Sequence, residues 1–462
     1  MLNLPRILIA GTHSGVGKTT VALAVMAMLK QYGLRVQPFK VGPDYIDPGF
    51  HQLATGNVSR NLDTFFLGAE GVREVFTRQA RKADISIIEG VMGLYDGIGA
   101  GDDGSSARVA QILNCPVILV LDARSMAHSA AALVWGFSNF PGGVPLAGVI
   151  INRAGSLRHL KILKEAIEAK TGVPVLGGIL REQDLHLPER HLGLVPSVEN
   201  KEIVSVIDKM AHRMMEAVPV ASILNLAQSA PALSAPENIF ATNELTRIKL
   251  GVVRDEAFNF YYQDGLDLLE CLGAEIHVCS ALHDRKLPEN LDGLYIGGGF
   301  PEIFIEQLAD NQSFIEDLRR YAAGGLPVYA ECGGLMYLCQ SITDFSGREY
   351  KGAGIIPAGC QMGHKRAALG YVSATAITAN VLVDKGTKLR GHEFHYSRVN
   401  DNELNSAYIL QKPGDGSSHQ DGHADRNILA TYLHIHFAGS TVAARGLLRS
   451  CAAYRQFRGV QN

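Results

Sequence analysis

One cysteine in the second half of the chain lies in a pattern that is typical of a catalytic nucleophile. In VYAECGGLMYL (328–338), Cys332 follows a short apolar stretch and precedes two glycines. This pattern predicts a sharp strand-to-helix turn, which pushes the side chain into a cleft where backbone N–H groups can gather around it. A cysteine without such neighbours is more often a small core residue. We therefore predict that Cys332 is a nucleophile.

A histidine that could activate this thiol follows later in the chain. In NILATYLHIHF, His434 comes just beyond the apolar run of another predicted strand. A free thiol is only a few per cent thiolate at neutral pH, and a neighbouring imidazole can accept its proton. We predict a catalytic pair of Cys332 and His434. His436 is either a hydrogen-bonded structural histidine or a group that orients His434.

Glycines near the predicted nucleophile could supply hydrogen-bond donors. LYIGGGFPE (294–302) predicts a turn at residues 297–299, and its N–H groups could form part of an oxyanion hole. The predicted oxyanion positions are Gly298, Gly299 and, directly after the cysteine, Gly333. Cys279 and Cys339 have no such turn, and we assign them to packing.

A second candidate site lies near the N-terminus. GTHSGVGKTT (11–20) follows an apolar strand pattern and opens a helix pattern, which is the context of a phosphate-binding P-loop. Its backbone N–H groups and Lys18 would bind phosphate oxygens, and Thr19 would offer a hydroxyl to Mg²⁺. A structural glycine turn is the alternative, because Thr12 stands where the strict pattern has Gly or Ala. The predicted ATP contacts are Gly15, Val16, Gly17, Lys18, Thr19 and Thr20.

Carboxylates follow two of the neighbouring strand patterns. FKVGPDYIDPGFH (39–51) places Asp44 and Asp47 in a loop, and IIEGVMGLYDG (87–97) ends a strand at Glu89 and carries Asp96 in a glycine-rich loop. The carboxyl ends of parallel strands lie on the same side of the sheet as the P-loop. We predict that Thr19, Asp44 and Glu89 hold Mg²⁺, although an isolated aspartate in a loop is usually a turn former.

The strand patterns place the two candidate sites on two α/β domains. The runs ILIAG, VQPFKVG, DISIIEG, CPVILVLDA, LAGVIINRA and VPVLGGI alternate with helix-length stretches, which is typical of a parallel sheet covered by helices. Asn152, at the end of the fifth run, is the predicted adenine contact. A second series begins at IKLGVV and continues through AEIHVCS, GLYIGGG, LPVYAE and NILATYLHIHF.

The predicted fold is therefore a two-domain α/β protein, with a P-loop doubly wound sheet at residues 1–215 and a second α/β domain at residues 247–462. Residues 216–246 are rich in Ala, Ser and Pro and predict a linker, although they could also form an extra helix packed on one domain. The stretch GDGSSHQDGHAD (414–425) predicts an exposed loop rather than a metal site, because its histidines and aspartates lack ligand spacing.

Composition favours a cytoplasmic enzyme. A chain of 462 residues is too long for one hydrophobic core. The net charge of −3 provides no electrostatic footprint for nucleic acid or an anionic membrane, and we expect neither partner. No apolar run approaches the roughly 18 residues of a membrane span. Seven dispersed cysteines without a C-x-x-C pair argue against a disulfide framework and a zinc site.

The form of the P-loop discriminates between groups of P-loop proteins. Partitioning ATPases of the ParA/MinD class carry a signature lysine where this chain has His13. The form GT-x-S-G-x-GKT instead resembles dethiobiotin synthetase and the amidating synthetases of corrinoid synthesis. That resemblance implies transfer of the γ-phosphate of ATP to a carboxylate or carbamate of a small molecule.

The chain as a whole resembles the cobyrinate a,c-diamide synthase family, and the resemblance covers nearly all of it. The stretches that carry it are GTHSGVGKTT, PFKVGPDYIDPGFH, SRNLD (59–63), EGVMGLYDG, LPERHLGL (187–194), DEAFNFYY (255–262), GGGFPE, YAECGGLMYL, RGHEFHYS (390–397) and TYLHIHF. Several of these are long enough to be specific to this family rather than to P-loop proteins or glutaminases in general.

The resemblance implies a C-terminal domain of the class I glutaminase type, in which Cys332 attacks the carboxamide of glutamine and His434 protonates the departing ammonia. Many class I glutaminases have a glutamate two residues after the histidine, where this chain has His436. The resemblance therefore implies a Cys–His dyad. Gly298, Gly299 and Gly333 would then line the glutamine site as well as the oxyanion hole.

For the N-terminal domain, the resemblance implies amidation of the a and c carboxylates of cobyrinate through acyl phosphates, with ATP and Mg²⁺. Four residues match family positions near the triphosphate and the substrate carboxylate, namely Asp44, Tyr45, Glu89 and Asp96. Tyr45 and Ile46 would contact the macrocycle, or else pack the loop. The partners are thus ATP, L-glutamine and a tetrapyrrole carboxylic acid, and a homodimer is among the assemblies that the sequence allows.

Other functions stay open at this point. Nickel-sirohydrochlorin and hydrogenobyrinate are alternative substrates for the same architecture. Cobyric acid synthase fits less well, because that family lacks the SRNLD and DYIDPGFH stretches as they stand here. A MinD/ParA-like ATPase switch that turns over no small-molecule substrate is the alternative from another class, and His13 and the complete glutaminase half argue against it.

Overall fold

The computed structural model describes residues 1–181, 200–236, 238–240, 247–399 and 404–461. The chain divides into two compact units, Met1–Glu237 and Asn238–Asn462. The division falls within the predicted linker, 216–246. The stretch LPERHLGL lies outside the described residues.

The first unit alternates strands and helices along the chain. Its elements are β1 (Arg6–Gly11), α1 (Lys18–Gln31), β2 (Val36–Val41), α2 (Asp47–Thr55), β3 (Arg60–Leu62), α3 (Thr64–Ala80), β4 (Ile85–Gly93), α4 (Ser106–Ile112), β5 (Val117–Asp122), α5 (Ser129–Ser138), β6 (Leu146–Ala154), α6 (Leu157–Thr171), β7 (Val175–Leu180), α7 (Asn200–Ala217) and α8 (Val220–Gln228).

The seven strands form one parallel sheet in the order β3-β2-β4-β1-β5-β6-β7. The central strands β1, β2 and β5 are buried along their whole length, which explains their continuous apolar runs. Helix α1 is buried at every position from 21 to 29, because α2 and α7 pack against it. The predicted doubly wound sheet is thereby confirmed.

Helix α8 lies in the segment that the sequence predicted as a linker. Its Ile223 and Ala227 are fully buried in the core of the first unit, and Leu233 pairs with Leu2 in an isolated β-bridge. The described part of this segment up to residue 236 therefore belongs to the first unit. The alternative interpretation, an extra helix packed on one domain, describes it better, because apolar residues at helical spacing outweigh the Ala, Ser and Pro content.

The second unit combines a parallel sheet with two further sheets. Its elements are β8 (Ile248–Val253), α9 (Gln263–Cys271), β9 (Ala274–Cys279), β10 (Gly293–Ile296), α10 (Ile305–Asp310), α11 (Gln312–Ala323), β11 (Val328–Glu331), α12 (Gly333–Leu338), β12 (Cys339–Thr343), β13 (Glu349–Lys351), β14 (Ile356–Met362), β15 (Ala368–Ala376), β16 (Lys388–His395), β17 (Ser397–Val399), β18 (Tyr408–Gln411), β19 (Ser418–Asp421), β20 (His423–Asp425), β21 (Ile428–Thr431), β22 (His434–Ile435), a 3₁₀ helix (Phe437–Gly439) and α13 (Thr441–Gln461).

The main sheet of this unit has the order β20-β21-β11-β10-β8-β9, parallel apart from the edge strand β20. Two smaller sheets, β13-β12-β14-β17 and β19-β18-β15-β16-β22, are largely antiparallel and have no counterpart in the sequence predictions. The stretch 414–425 was predicted as an exposed loop, which is wrong in part. It holds β19 and β20, and Asp421 and His423 are buried.

Within the part of the chain that the structure describes, each helix is either too short or too polar to cross a lipid bilayer.

Candidate active sites

The P-loop joins β1 to the N-terminus of α1. Gly15 and Gly17 have φ angles of 85° and 87°, in the left-handed region that favours glycine. A side chain at Gly17 would also collide with Asn152, whose Nδ2 would lie 2.2 Å from the added Cβ. Because Gly17 caps α1 without a side-chain acceptor, the first N–H groups of the helix remain available to an anion.

Two side chains near the end of β6 contact the backbone of the loop. The Nδ2 of Asn152 donates to the carbonyl of Val16 at 2.8 Å, and Arg153 donates to the carbonyl of Gly15 at 2.8 Å. Arg153 is itself held by Asp122 at 2.7 Å. Asn152 therefore braces the loop in this structure, and its contact with adenine stays a prediction.

Glu89 is the centre of a buried polar cluster next to the loop. Its carboxylate is fully buried and accepts hydrogen bonds from Thr19 at 2.6 Å and from Lys40 at 3.0 Å. The Nε2 of His51 lies 2.7 Å from its other oxygen, and Lys18 lies 4.0 Å away. The structure thus brings together two predicted residues, Thr19 and Glu89. Strand β4 runs on past Glu89 to Gly93, beyond the predicted strand end.

Lys40 connects the predicted carboxylates to one another. It lies directly opposite Glu89 on the neighbouring strand β2, and its ammonium also pairs with Asp47 and, at 3.6 Å, with Asp44. Asp44 joins the cluster through this lysine, and its other oxygen accepts from the backbone N–H groups of Ile46 and Asp47. Lys40 therefore links three carboxylates, of which the sequence analysis grouped only Asp44 and Glu89.

The cluster contains more carboxylates than lysine ammonium groups. Burial would raise the pKa of Glu89, but Lys40 and His51 outweigh burial and hold that pKa well below its usual range. Burial and the neighbouring Glu89 raise the pKa of Asp47 to about 8. Burial alone would lower the pKa of Lys40, but Asp47, Glu89 and Asp44 raise it above its ordinary value. Burial and Lys40 lower the pKa of Lys18. A further cation would relieve this surplus of acid.

The donor set at this cluster suits Mg²⁺ that is also bound by phosphates. The available ligands are hard oxygens, namely the Thr19 hydroxyl and the carboxylates of Glu89 and Asp44. Among the described residues, no three side chains of the His, Cys, Asp and Glu types converge closely enough to hold a metal ion by themselves. An ion here would therefore take the rest of its coordination shell from water and a nucleotide.

The remaining predicted residues of the first unit lie in loops around the cluster. The carboxylate of Asp96 accepts from the N–H of Gly93 at 2.8 Å, which is the arrangement of a turn former. Tyr45 and Ile46 are half-buried in the loop before α2, and Thr20 lies in the first turn of α1. The roles of these residues toward a substrate stay predictions.

Cys332 lies at a strained turn between β11 and α12. Its φ of 46° and ψ of −99° are unusual for a residue with a side chain, as at a nucleophile elbow. Its N–H donates to the carbonyl of Thr431 at 2.8 Å, and its thiol lies 3.8 Å from the carbonyl of Phe394. The predicted strand-to-helix turn is present.

The predicted glycines surround this turn. A Cβ on Gly298 would lie 2.6 Å from Cε1 of the His434 ring, and one on Gly333 would lie 3.0 Å from the backbone nitrogen of Gly299. A Cβ on Gly299 would meet the carbonyl of Ala257 at 2.0 Å. These close approaches require glycine, and they place Gly298 beside His434 and Gly333 beside Gly299.

His434 contacts a carboxylate that the sequence analysis did not single out. Its Nδ1 lies 3.4 Å from Oε2 of Glu331, the residue before the nucleophile. Tyr295 donates to the same oxygen at 3.0 Å, and Tyr329 donates to the other oxygen. Glu331 and His434 are both buried. The ring of His436 stacks on Tyr262, with the ring centroids 4.7 Å apart.

Burial raises the pKa of the Cys332 thiol above its usual range, and Glu302 and Glu331 add to the rise. The thiol is therefore neutral at pH 7, and a thiolate forms only when a base takes its proton. Burial also raises the pKa of Glu302 itself, to about 7. His434 is the candidate base, because its ring lies beside Gly298, one of the predicted oxyanion positions.

Comparisons with known proteins match both units of the chain. Residues 7–195 match a family model described as a CobQ/CobB/MinD/ParA nucleotide binding domain, and residues 249–442 match a CobB/CobQ-like glutamine amidotransferase domain. A protein of Caldanaerobacter subterraneus named cobyrinate a,c-diamide synthase is 43% identical over 448 residues, which cover 97% of this chain and 98% of that protein. The chain belongs to the cobyrinate a,c-diamide synthase family. It is an ATP-dependent, glutamine-hydrolysing ligase, as the resemblance of its motifs implied.

A second relative and a solved structure were also compared with the chain. A protein of Dehalococcoides mccartyi with the same name is 43% identical over 455 residues, covering 97% of this chain and 98% of that protein. Among solved structures, PurLQS from Thermotoga maritima has a TM-score of 0.34 and 16% identity, covering 45% of this chain and 99% of its own. That likeness is too weak to support an argument.

Three residues that contact the predicted site residues were not predicted from the sequence, namely Lys40, His51 and Glu331. All three lie inside the motifs quoted above. A signal was present for the two that lie in strands, because a charged residue inside an apolar strand must find a buried partner. Lys40 in VQPFKV and Glu331 in VYAE are both such residues.

Proposed function

We propose that this enzyme amidates the a and c carboxylates of cobyrinate, using ATP and ammonia released from glutamine. One observation carries the proposal. Relatives named cobyrinate a,c-diamide synthase align with 97% of the chain, so that both the P-loop domain and the glutaminase domain are matched. The product would be a diamide of a tetrapyrrole acid in cobalamin biosynthesis.

In the proposed synthetase step, a substrate carboxylate oxygen attacks the γ-phosphorus of ATP and ADP leaves. Ammonia then attacks the carbonyl carbon of the acyl phosphate, phosphate leaves, and one proton is lost to solvent. Activation is needed because a carboxylate is a poor electrophile. Lys18 would stabilise the charge on the transferred phosphoryl group, and its place at the start of α1 beside Glu89 supports that role.

Mg²⁺, when bound, would neutralise the charge of the β and γ phosphates. Thr19, Glu89 and Asp44 are the proposed protein ligands. Lys40 and His51 would orient the Glu89 carboxylate toward that position, and their contacts with it support this assignment. Asp96, Tyr45 and Ile46 are proposed to line the site of the substrate carboxylate and macrocycle.

In the proposed glutaminase step, His434 takes the proton of Cys332 and the thiolate attacks the carboxamide carbon of glutamine. Backbone N–H groups at Gly298, Gly299 and Gly333 would stabilise the oxyanion. The imidazolium returns its proton to the nitrogen, ammonia leaves, and water hydrolyses the thioester to glutamate. The positive φ of Cys332 and the close approach of Gly298 to His434 support this assignment.

The proposal is tested by mass spectrometry of reactions with ATP, Mg²⁺ and glutamine labelled with ¹⁵N in its amide. Cobyrinate, hydrogenobyrinate and nickel-sirohydrochlorin are offered separately. Two labelled amides on cobyrinate, with two ATP consumed, are the expected result. Preference for another tetrapyrrole would overturn the substrate assignment and keep the chemistry. If ATP is hydrolysed while no substrate accepts nitrogen, the ligase proposal fails and an ATPase switch becomes the better interpretation.

A further inference from the structure

The surroundings of Glu331 are unusual for a carboxylate in a strand. Glu331 is the last residue of β11, a strand with parallel neighbours on both sides, and only 1% of its surface is exposed. A buried carboxylate is costly unless it is paired and hydrogen-bonded. The buried carboxylate of Glu331, directly before the nucleophile, therefore needs a specific partner.

Among the residues that the structure describes, four groups donate to Glu331 or can donate to it. Tyr295 and His434 contact Oε2, and Tyr329 and the N–H of Ile435 contact Oε1, the last at 3.3 Å. Burial raises the pKa of both phenols, and the carboxylate raises them further, so both remain neutral donors. Of the four, only the imidazole of His434 can take up a positive charge that compensates the carboxylate.

This contact determines which nitrogen of His434 carries its proton. A carboxylate can only accept hydrogen bonds, so the Nδ1 that faces it must be the donor. The Nε2 is then left with its lone pair. The Cε1 edge of the ring lies against Gly298, and Nε2 lies farther from that glycine. The ring is thus held in the tautomer whose Nε2 can accept a proton.

The strand arrangement explains how a residue next to the nucleophile can reach the base. Glu331 pairs with Thr431 across β11 and β21, which places the start of the following segment, including His434, beside it. The positive φ of Cys332 turns the chain sharply directly after Glu331. His436 instead packs its ring on Tyr262.

We propose that Glu331 is the positioning acid of the glutaminase site. It fixes His434 as the Nδ1–H tautomer and stabilises the imidazolium that forms when the proton of Cys332 moves to Nε2. No atoms are gained or lost in this step, since one proton moves from sulfur to nitrogen. The inference rests on the proposed function of Cys332 and His434 and adds the third member of that site.

Glu331→Gln is the central test. The amide keeps the volume but removes the charge and can turn an N–H toward His434. We expect kcat for glutamine hydrolysis to fall by about 10²–10⁴-fold, with KM nearly unchanged, as expected for a wrong tautomer. Amidation with high ammonium should stay within about twofold of wild type, since it bypasses the glutaminase site. Glu331→Asp should retain more activity than Glu331→Gln, because it keeps the charge.

Asp292→Asn is a matched control. Asp292 is an equally buried carboxylate of the same unit, and it accepts from the N–H of Lys249 and pairs with Arg458. Its loss should lower stability and leave glutamine hydrolysis unchanged. If both variants lose activity in proportion to their stability, Glu331 is a structural residue and the proposal is wrong.

A second readout follows the thiol without requiring turnover. The alkylation rate of Cys332 by iodoacetamide, measured by peptide mass spectrometry against pH, reports its apparent pKa. Two effects oppose each other in Glu331→Gln: removing the neighbouring negative charge favours the thiolate, and weakening the imidazolium partner disfavours it. The proposal requires the second effect to dominate, so the alkylation rate of Cys332 at pH 8 should fall by about tenfold or more. The ionisable groups around Glu331 are Tyr261, Tyr295, Tyr329, Cys332, Tyr408 and His434. An unchanged profile would contradict the proposal.

If Glu331→Gln does not fold, the wild-type enzyme still provides a test. NMR of ¹⁵N-histidine-labelled protein, with His434 assigned through His434→Gln, identifies its neutral tautomer. Nδ1–H supports the proposal, and Nε2–H overturns it. If wild-type enzyme hydrolyses glutamine but amidates no tetrapyrrole, the substrate assignment fails and the role of Glu331 stands. If wild-type enzyme does not hydrolyse glutamine, both fail.

Discussion

The hydroxyl of Thr19 lies 2.6 Å from the carboxylate of Glu89, although 70 residues separate them in the chain. This contact joins the first turn of the P-loop helix to a central strand of the sheet, and it lies beside the buried Lys40. It is the point at which a nucleotide phosphate, a metal ion and the protein would meet. The predictions for the first unit start from it.

Glu89→Gln should impair both stability and metal use. The change leaves Lys40 and Lys18 without their shared buried partner, and breaking such a cluster costs about 3–5 kcal/mol of unfolding free energy. The Mg²⁺ concentration for half-maximal ATP turnover should rise about tenfold. Urea unfolding followed by pulse-labelled hydrogen exchange and a Mg²⁺ titration of ATPase activity measure the two effects. The control is Glu74→Gln, a buried carboxylate elsewhere in the unit. An unchanged metal dependence would remove Glu89 from the metal site.

Lys18→Ala should abolish synthesis with either glutamine or ammonium as nitrogen donor, because both routes need the acyl phosphate. We expect a loss of at least about 10³-fold in amide formation, measured by mass spectrometry. Lys30→Ala, in the last turn of the same helix, is the control and should be near wild type. Near-normal synthesis by Lys18→Ala would rule out its role in phosphoryl transfer.

Cys332→Ala should abolish glutamine-dependent amidation and glutamine hydrolysis while amidation with high ammonium persists, because ammonia then enters without the thiol. The readout is glutamate release together with diamide formation from each nitrogen source. Cys279→Ala removes a buried thiol of the same unit that contacts the carbonyl of Val252, and it should retain both activities. Loss of the ammonium-dependent reaction in Cys332→Ala would contradict the division of labour between the two domains.

Glu302→Gln should stabilise the second unit at alkaline pH. Burial raises the pKa of Glu302 to about 7 in the folded protein, so the folded state holds this proton more tightly than the unfolded state. The group therefore favours folding at low pH, and that contribution is lost as pH rises from the unfolded pKa of about 4.5 to about 7. The variant should gain about 1–3 kcal/mol at pH 8 and nothing at pH 4.5.

This prediction is checked by urea unfolding at both pH values, with pulse-labelled hydrogen exchange of peptides from β10 and β11. Glu349→Gln, at an exposed glutamate, is the control and should change stability at neither pH. Equal stabilisation by Glu302→Gln at pH 4.5 and pH 8 would show that the carboxyl does not titrate in this range.

The structural features that depend on short sequence patterns were predicted correctly. The P-loop, the turn at Cys332 and the parallel strands depend on glycines at fixed offsets and on apolar runs of strand length, and both signals lie within about 20 residues. The positions 298, 299 and 333 followed from the same turn chemistry. The small antiparallel sheets were missed because their strand patterns are short. Helix α8 was given only as the alternative to a linker, because its pattern is mixed with turn residues.

The partners of the buried charged residues could be identified only from the tertiary structure. The residue types in VQPFKV and VYAE show that Lys40 and Glu331 need partners, but strand order decides which ones. Lys40 meets Glu89 because β2 lies beside β4, and Glu331 meets His434 because β11 lies beside β21. Residue type and local spacing thus define the chemistry that this chain can perform. Its charge pairing arises from long-range strand neighbours, which no local pattern encodes.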